Sequence, residues 1–346
     1  MTQVTRGTRI GVVVPALNEA RELPRVLRAI PASVSAVYVV DDGSTDDTYS
    51  AARSVPDPRI RVLRHERNGG LGTAMRTGYR ASIDDGCDVI VKLDADGQMD
   101  PAEIERLVLP ISLGLAEYVK GNRFRHAARL GDMPGTRRFG NVMLSLLTKV
   151  ASGYWHVFDS QCGFTAVLAH TLEAAGIDGI ADDYFFENDM LVRLSGVGAR
   201  VVDVPVTVTY ADEVSHIRIW RIVASFPLRL AMGWGRRVLR QHVLWDFGAV
   251  GALGLIGLPC VIFGVVFGAY HWVSSILENR PASTGTVMIA VLPIVVGVQM
   301  LLQALLIEVE NSPGASETKE FARILSRTPV GGSAIPECDG PVRDAF

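Results

Sequence analysis

The stretch "VKLDADGQMDP", residues 91–101, continues an apolar run that begins "DVI" and then places Asp94, Asp96 and Asp100 within seven residues. The run reads as a strand that stops where the acids begin. Three carboxylates this close repel one another and resist burial, so they call for a solvated turn, cationic partners or a metal ion. Measured against an EF-hand loop, Asp94, Asp96, Gln98, Asp100 and Glu105 occupy positions 1, 3, 5, 7 and 12, but Met99 stands at position 6 where glycine is required, and a strand precedes. A plain acidic turn is a second reading. The third is an Asp-x-Asp site in which Mg2+ or Mn2+ bridges carboxylate oxygens to substrate phosphates.

Working outward, strand-like runs recur at "RIGVVVPA", "AVYVVDD", "IRVLRH", "DVIVKLDAD" and "ARVVDVPVTVTY", with helix-like stretches between them, such as "EARELPRVLRAI" and "GTAMRTGYRASIDDG". That alternation predicts an α/β fold with a mostly parallel sheet covered by helices on both faces. Ligands of such sheets bind beyond the carboxyl ends of the strands. Polar residues gather there: Asn18 and Glu19 after the first run, Asp41 and Asp42 after the second, Asn68 after the third, Asp94 and Asp96 after the fourth. A turn at Gly43 and a helix cap at Ser44 or Thr45 account for those three residues but not for Asp41 and Asp42, whose carboxylates suit a ribose hydroxyl or a base N–H. The glycines of "NGGLGTAMRTGY", Gly72 among them, would let backbone N–H groups approach a phosphate at a helix start, although the lysine of a P-loop is missing.

The chain has 346 residues, 48% hydrophobic and 21% charged, so it is expected to order into one large domain with an addition. A formal net charge of −3 gives no general attraction to nucleic acid, and none is expected as a partner. Cys87, Cys162, Cys260 and Cys338 form no C-x-x-C pair and no metal-ligand spacing with histidine, which suggests free thiols and a cytosolic soluble part. The apolar run near the start is too short for a signal-peptide core.

Composition changes near residue 245. Residues 247–270 and 282–307 contain no Asp, Glu, Lys or Arg, and each is long enough to cross ~30 Å of hydrocarbon. Residues 217–245 carry six arginines and no acid, against one arginine in the connector between the apolar runs. The positive-inside bias then predicts a transmembrane hairpin in the cytoplasmic (inner) membrane, with the catalytic domain and C-terminus on the cytoplasmic side. The arginines, interspersed with Trp220, Phe226, Leu228, Leu230, Trp234 and Leu239, suit interfacial amphipathic helices at the headgroup level. Gln299 and Gln303, one helical turn apart, could bond between helices or between subunits. The expected organisation is a domain over 1–215, interfacial helices over 216–245, two spans over 246–309 and a mobile tail over 310–346.

"VVVPALNEA", "VVDDGSTDDT", "NGGLGTAMRTGY", "VKLDADGQMDP", "GNRFR", "MPGTRRFGN", "DSQCGF" and "FFENDMLVRL", in this order, resemble the family-2 glycosyltransferases of GT-A (Rossmann-like) fold. Within them the likeness is to the polyprenyl-phosphate glycosyltransferases, which include the dolichol-phosphate mannose synthases, and the two apolar runs fit the membrane-anchored bacterial branch. The Gln-x-x-Arg-Trp string usual in processive polysaccharide synthases does not occur.

The resemblance implies transfer of a sugar from a nucleotide sugar to a polyprenyl phosphate with inversion. It implies that Pro15, Leu17, Asn18, Glu19, Asp41, Asp42, Asn68, Gly72, Ala95 and the acids Asp94 and Asp96 bind the donor, with Asp94, Asp96 and Gln98 at a Mg2+ or Mn2+ ion. Leu71 stands where many relatives carry lysine, so a charge contact to the donor diphosphate is either missing or supplied by Arg76. Arg123, Arg137, Arg138 and Asn141 would hold the acceptor phosphate, with arginine forks suited to that anion. Glu187 and Asp189 lie in the acidic stretch that related enzymes use near the acceptor. Self-association of two-span relatives suggests a homo-oligomer. Two other readings remain open: a family-2 enzyme acting on a glycan or diacylglycerol acceptor, and a non-catalytic nucleotide-binding protein anchored in the membrane.

Overall fold

The computed structural model describes residues 7–123, 135–207, 219–245 and 247–327; over 135–141 and 219–225 and at 243, 245, 326 and 327 it describes the backbone alone. Seven strands form one sheet: β1 Ile10–Ala16, β2 Ala36–Asp41, β3 Ile60–Arg64, β4 Val89–Lys92, β5 Tyr118–Asn122, β6 Thr165–Leu168 and β7 Val201–Pro205. The helices around it are α1 Leu23–Arg28, α2 Thr48–Arg53, α3 Leu71–Asp84, α4 Ile104–Ser112, α5 Gly135–Ser152, α6 Ala169–Ala175 and α7 Phe186–Gly196. Beyond them run α8 Ile219–Val238, α9 Ala249–Leu277, α10 Thr284–Glu310 and α11 Ala315–Arg327.

The strand order is β3-β2-β1-β4-β6-β5-β7. β1 pairs in parallel with both β2 and β4, so the order reverses there, and ligand crevices of α/β sheets open at such a point. β6 is antiparallel to β4 and to β5, while β5 and β7 are parallel. Near-continuous valines make β1, β2 and β4 apolar on both faces up to the Asp41 and Lys92 that end β2 and β4, as strands covered by helices must be. β5 and β6 were not among the expected strands: "YVKGN" carries a lysine and a glycine, and "TAVL" spans four residues.

α9 and α10 correspond to the two uncharged runs, with α9 reaching through most of the expected connector to Leu277. Each is long and apolar enough to cross a membrane, and only 17% of its most apolar window is buried, unlike a core helix of a soluble protein. They meet along Gly257, Gly264 and Gly297, where the missing side chains let the backbones close on each other. Gln299 and Gln303 are both exposed.

The tail expected to be mobile contains a packed helix. Residues 315–327 form α11, which returns to the sheet beside β7 and buries Phe321 to 1% exposure in the sheet's apolar core, with Leu325 against it. Thr318, Phe321 and Leu325 recur at helical spacing and fill one face, a pattern hidden by the Ser, Pro and Gly that precede it.

Candidate active site

The loops after β1 and β2 are sewn together. Asn18 adopts φ 59°, a left-handed conformation that asparagine tolerates, and its Oδ1 accepts from Thr45 N at 2.9 Å while its own N donates to Ser44 Oγ at 3.0 Å. Glu19 N donates to Thr48 Oγ1 at 2.8 Å. Pro15 pairs with Val40 of β2, the pairing runs on to Ala16 and Asp41, and Leu17 beyond them is 37% exposed, an apolar side chain at the mouth of the strand ends.

Asp41 and Asp42 differ from expectation. Asp41, fully buried, accepts from Ser44 N at 2.9 Å and lies 3.2 Å from Arg64 Nε, an ion pair not aligned as a hydrogen bond. Asp42 takes Gly69 N at 2.9 Å, Gly70 N at 2.8 Å and His65 Nδ1 at 2.7 Å. Gly72 N donates to Asp182 O at 2.8 Å, and Asn68 Oδ1 accepts from Gly70 N. The glycine amides expected to meet a phosphate are therefore spent on the protein. Arg76 bonds Ile180 O, Asp178 O and Asp182, and so is committed to the 178–182 loop rather than presented to a diphosphate.

The acids of the opening stretch separate by role. Asp100 caps the short 3-10 turn, accepting from Ala102 N at 2.9 Å, and Glu105 accepts from Ser33 Oγ at 2.8 Å. Neither joins Asp94 and Asp96, and no cluster of three or more acids, histidines or cysteines that could hold a metal occurs among the described residues, which removes the EF-hand reading. Asp94 stays partly exposed with Lys92 Nζ 2.6 Å from its Oδ1, Ala95 is buried behind it, and Asp96 Oδ1 accepts from Gln98 N at 3.0 Å.

Behind Asp94 lies a buried network that the sequence reading missed. Lys92 Nζ also touches Gly163 O at 3.2 Å and Glu187 Oε1 at 3.1 Å, and Lys120 Nζ takes Glu187 Oε2 at 2.5 Å. Burial alone would push the Lys92 ammonium down, but Asp94 and Glu187 outweigh it and hold it above the ordinary lysine range. Burial would raise Glu187 likewise, but Lys120 and then Lys92 bring its carboxyl below the ordinary value. A carboxylate stabilised by two ammoniums and closed from solvent is a poor proton acceptor, so Glu187 fits the anion of a buried charge network better than a general base. Asp189 is equally committed, accepting from Ala181 N at 2.9 Å and Arg193 Nε at 2.8 Å. The one sequence signal for the network was a lysine inside each of two apolar strands.

Of the residues expected to meet the acceptor phosphate, Arg123 is gripped by Asp159 and sits just past the end of β5. The side chains of Arg137, Arg138 and Asn141 lie outside the described residues; their backbone forms the first two turns of α5. Cys162, between Asp159 and Gly163 in sequence, is fully buried, and burial pushes its thiol up to about 12, which leaves it a packing residue. Gly163 is required where it stands: a Cβ there would overlap Asp94 Oδ2 and lie 2.5 Å from Lys92 Nζ.

A parallel sheet that reverses at β1 and β4, with an Asp-x-Asp pair at the reversal, defines a GT-A-type glycosyltransferase fold. Glucosyl-3-phosphoglycerate synthase from Mycobacterium tuberculosis, solved with Mn2+, UDP and glucosyl-3-phosphoglycerate, shares it with a TM-score of 0.50 at 22% identity, over 67% of this chain and 80% of that one. The undecaprenyl-phosphate mannosyltransferase of Micrococcus luteus is 33% identical over 204 residues, 58% of this chain and 83% of the relative. The UDP-N-acetylglucosamine–dolichyl-phosphate N-acetylglucosaminyltransferase of Methanococcus voltae is 28% identical over 234 residues, 63% of this chain and 92% of the relative. The sequence profile described as glycosyl transferase family 2 matches residues 11–174. The chain belongs to glycosyl transferase family 2.

Proposed function

We propose that the protein transfers a sugar from a nucleotide sugar to a polyprenyl phosphate at the cytoplasmic face of a membrane that α9 and α10 cross. The observation that carries this reading is the 159–163 loop. Asp159 at one end holds Arg123, and Gly163 at the other takes Lys92, the partner of Asp94. Four residue steps span at most about 14 Å, so donor acids and an acceptor arginine share one short scaffold. Two relatives with different sugars in their names both name a polyprenyl or dolichyl phosphate, which favours the lipid phosphate as the constant partner.

Asp94, Asp96 and Gln98 would hold Mg2+ or Mn2+. Two carboxylates without a third fit an ion that completes its shell with waters and substrate phosphates. When bound, the ion offsets charge on the departing nucleoside diphosphate. Lys92 fixes the Asp94 carboxylate, and Leu17 offers an apolar surface to the base. Asp159 orients the Arg123 guanidinium toward a phosphate that repels the diphosphate beside it. Arg137, Arg138 and Asn141, at the start of α5, complete that cationic cradle. A phosphate oxygen then attacks the anomeric carbon as its bond to the nucleoside diphosphate breaks, inverting configuration. The acceptor is already an anion, so no general base is required, in keeping with the committed states of Glu187 and Asp189.

The test is purified protein in detergent with polyprenyl phosphate, Mn2+ and a panel of labelled nucleotide sugars, run beside Asp96→Asn and Arg123→Ala. A glycolipid lost with both substitutions is expected. No product from any donor would sink the proposal, and product formed equally well by Arg123→Ala would point to an acceptor without a phosphate.

A further inference from the structure

α5 carries apolar side chains on two sides. Its buried side sets Leu144, Leu147 and Ala151 beside hydroxyls, with Ser145 5%, Thr148 1% and Ser152 1% exposed, while Val142 is 46%, Met143 43%, Leu146 49% and Val150 37% exposed. The inner hydroxyls are matched to polar partners: Thr148 Oγ1 lies 2.7 Å from Asn188 Oδ1, Ser152 Oγ donates to Thr148 O at 2.7 Å, and Ser145 Oγ is 3.3 Å from Ser160 Oγ. The four outer positions fall within an arc of about 100° at 3.6 residues per turn, a continuous stripe rather than scattered exposure. Such a stripe on a water-facing helix has no benefit and marks a contact surface.

The far end of α5 is fixed to the apolar hairpin. Arg237 of α8, itself buried, donates from Nε to Ala151 O at 2.9 Å and from Nη2 to Val150 O at 3.1 Å, capping the last carbonyls of α5. The same guanidinium pairs with Glu308, the first acid after the uncharged stretch of α10. α5 therefore ends at the level where α10 stops being apolar. α8 lies along α5 and exposes apolar side chains of its own, Leu228, Met232 and Trp234. The helix that carries the stripe is thus tied through Arg237 to helices long and apolar enough to span a bilayer.

We propose that the Val142, Met143, Leu146 and Val150 face of α5 is immersed in the headgroup and acyl boundary of a lipid bilayer. α5 is then an interfacial helix in its own right, beside the arginine-rich α8, and its first turns, which carry Arg137, Arg138 and Asn141, run at the depth of lipid phosphates. This rests on the reading that α9 and α10 cross the membrane, and the test separates the two claims.

The full chain is reconstituted in anionic lipid nanodiscs with single nitroxides at Met143→Cys or Leu146→Cys. Cys260→Ser and Cys338→Ser are built into every variant, and the remaining Cys87 and Cys162 are buried. Val266→Cys on α9 serves as the span reference and Glu173→Cys, exposed on α6, as the aqueous one. Collision with oxygen and with a water-soluble nickel chelate is read for each. The α5 labels are expected to favour oxygen, as Val266 does and opposite to Glu173. If they match Glu173 while Val266 favours oxygen, the α5 proposal falls and the spanning reading stands. If Val266 also matches Glu173, both fall. If the α5 labels are shielded from both reagents, a protein partner or second copy covers the stripe and the proposal is overturned.

Discussion

Asp159 holds Arg123 through both carboxylate oxygens, with Nε 2.7 Å from Oδ2 and Nη2 2.9 Å from Oδ1, and Asp159 itself is 1% exposed. A buried carboxylate that grips an arginine side-on fixes the plane of the guanidinium before any ligand arrives. Asp159→Asn keeps the shape and removes the charge. A hydrogen bond to a charged group contributes about 1.5–3 kcal/mol, so kcat/KM for the lipid phosphate is expected to drop by about 10- to 100-fold. Nucleotide-sugar affinity, measured by titration calorimetry, should stay at the wild-type value; a matching loss there would mean that the pair supports the whole site instead of the acceptor side.

Glu187 separates a structural role from a chemical one. Its two oxygens serve Lys120 and Lys92, and replacing one partner of a buried charge network costs about 3–5 kcal/mol. Glu187→Gln is therefore expected to lower urea stability by that order while leaving the acid limb of the pH–rate profile where it was. A general base would behave otherwise, losing about 100- to 10,000-fold in rate with that limb abolished.

The strand ends were legible because strands of this fold are apolar and stop abruptly: Asp94 and Asp96 follow the end of β4, and Asn18 and Glu19 the end of β1. Partners distant in sequence were not. Asp42 reads as a ligand group after a strand, yet its lone pairs are filled by Gly69 and Gly70, 27 and 28 residues away. Lys92 and Lys120 read as ordinary polar interruptions because the shared anion, Glu187, sits on α7, far along the chain. The apolar face of α5 was hidden for the opposite reason. Its valines, leucines and methionine resemble one core-facing stripe, and only the structure reveals that Leu144 and Leu147 pack inward beside the hydroxyls while Val142, Met143, Leu146 and Val150 face out.

His156 gives a pH signature to the junction between the catalytic unit and α10. Its Nε2 lies 2.7 Å from Val201 O, which can only accept, so Nε2 carries the proton and Nδ1 faces Ser312 Oγ at 3.2 Å as the neutral tautomer. Burial lowers its pKa below the ordinary 6.5, with the Val201 bond opposing. In the window below about 6.5 the unfolded chain binds a proton that the folded chain refuses, so stability falls as pH falls and recovers as pH rises. The melting temperature of the wild type in detergent should decline between about pH 7 and pH 5 more steeply than that of His156→Gln. Parallel curves would show that this histidine contributes nothing to the junction.

Gly163→Ala tests whether Asp94 belongs to the donor site. The added methyl would collide with Asp94 Oδ2 and stand 2.5 Å from Lys92 Nζ, and Lys92 cannot retreat because Glu187 and Gly163 O hold it. Something must shift, at a cost of about 1–3 kcal/mol, and the carboxylate at the end of β4 is the group with room to move, being partly exposed. With circular dichroism unchanged, the affinity for a nucleoside diphosphate plus Mn2+ is expected to fall at least about tenfold, since 1.4 kcal/mol of misplacement suffices for that. Binding that survives the substitution intact would put the nucleotide elsewhere on the sheet and take the donor role from Asp94.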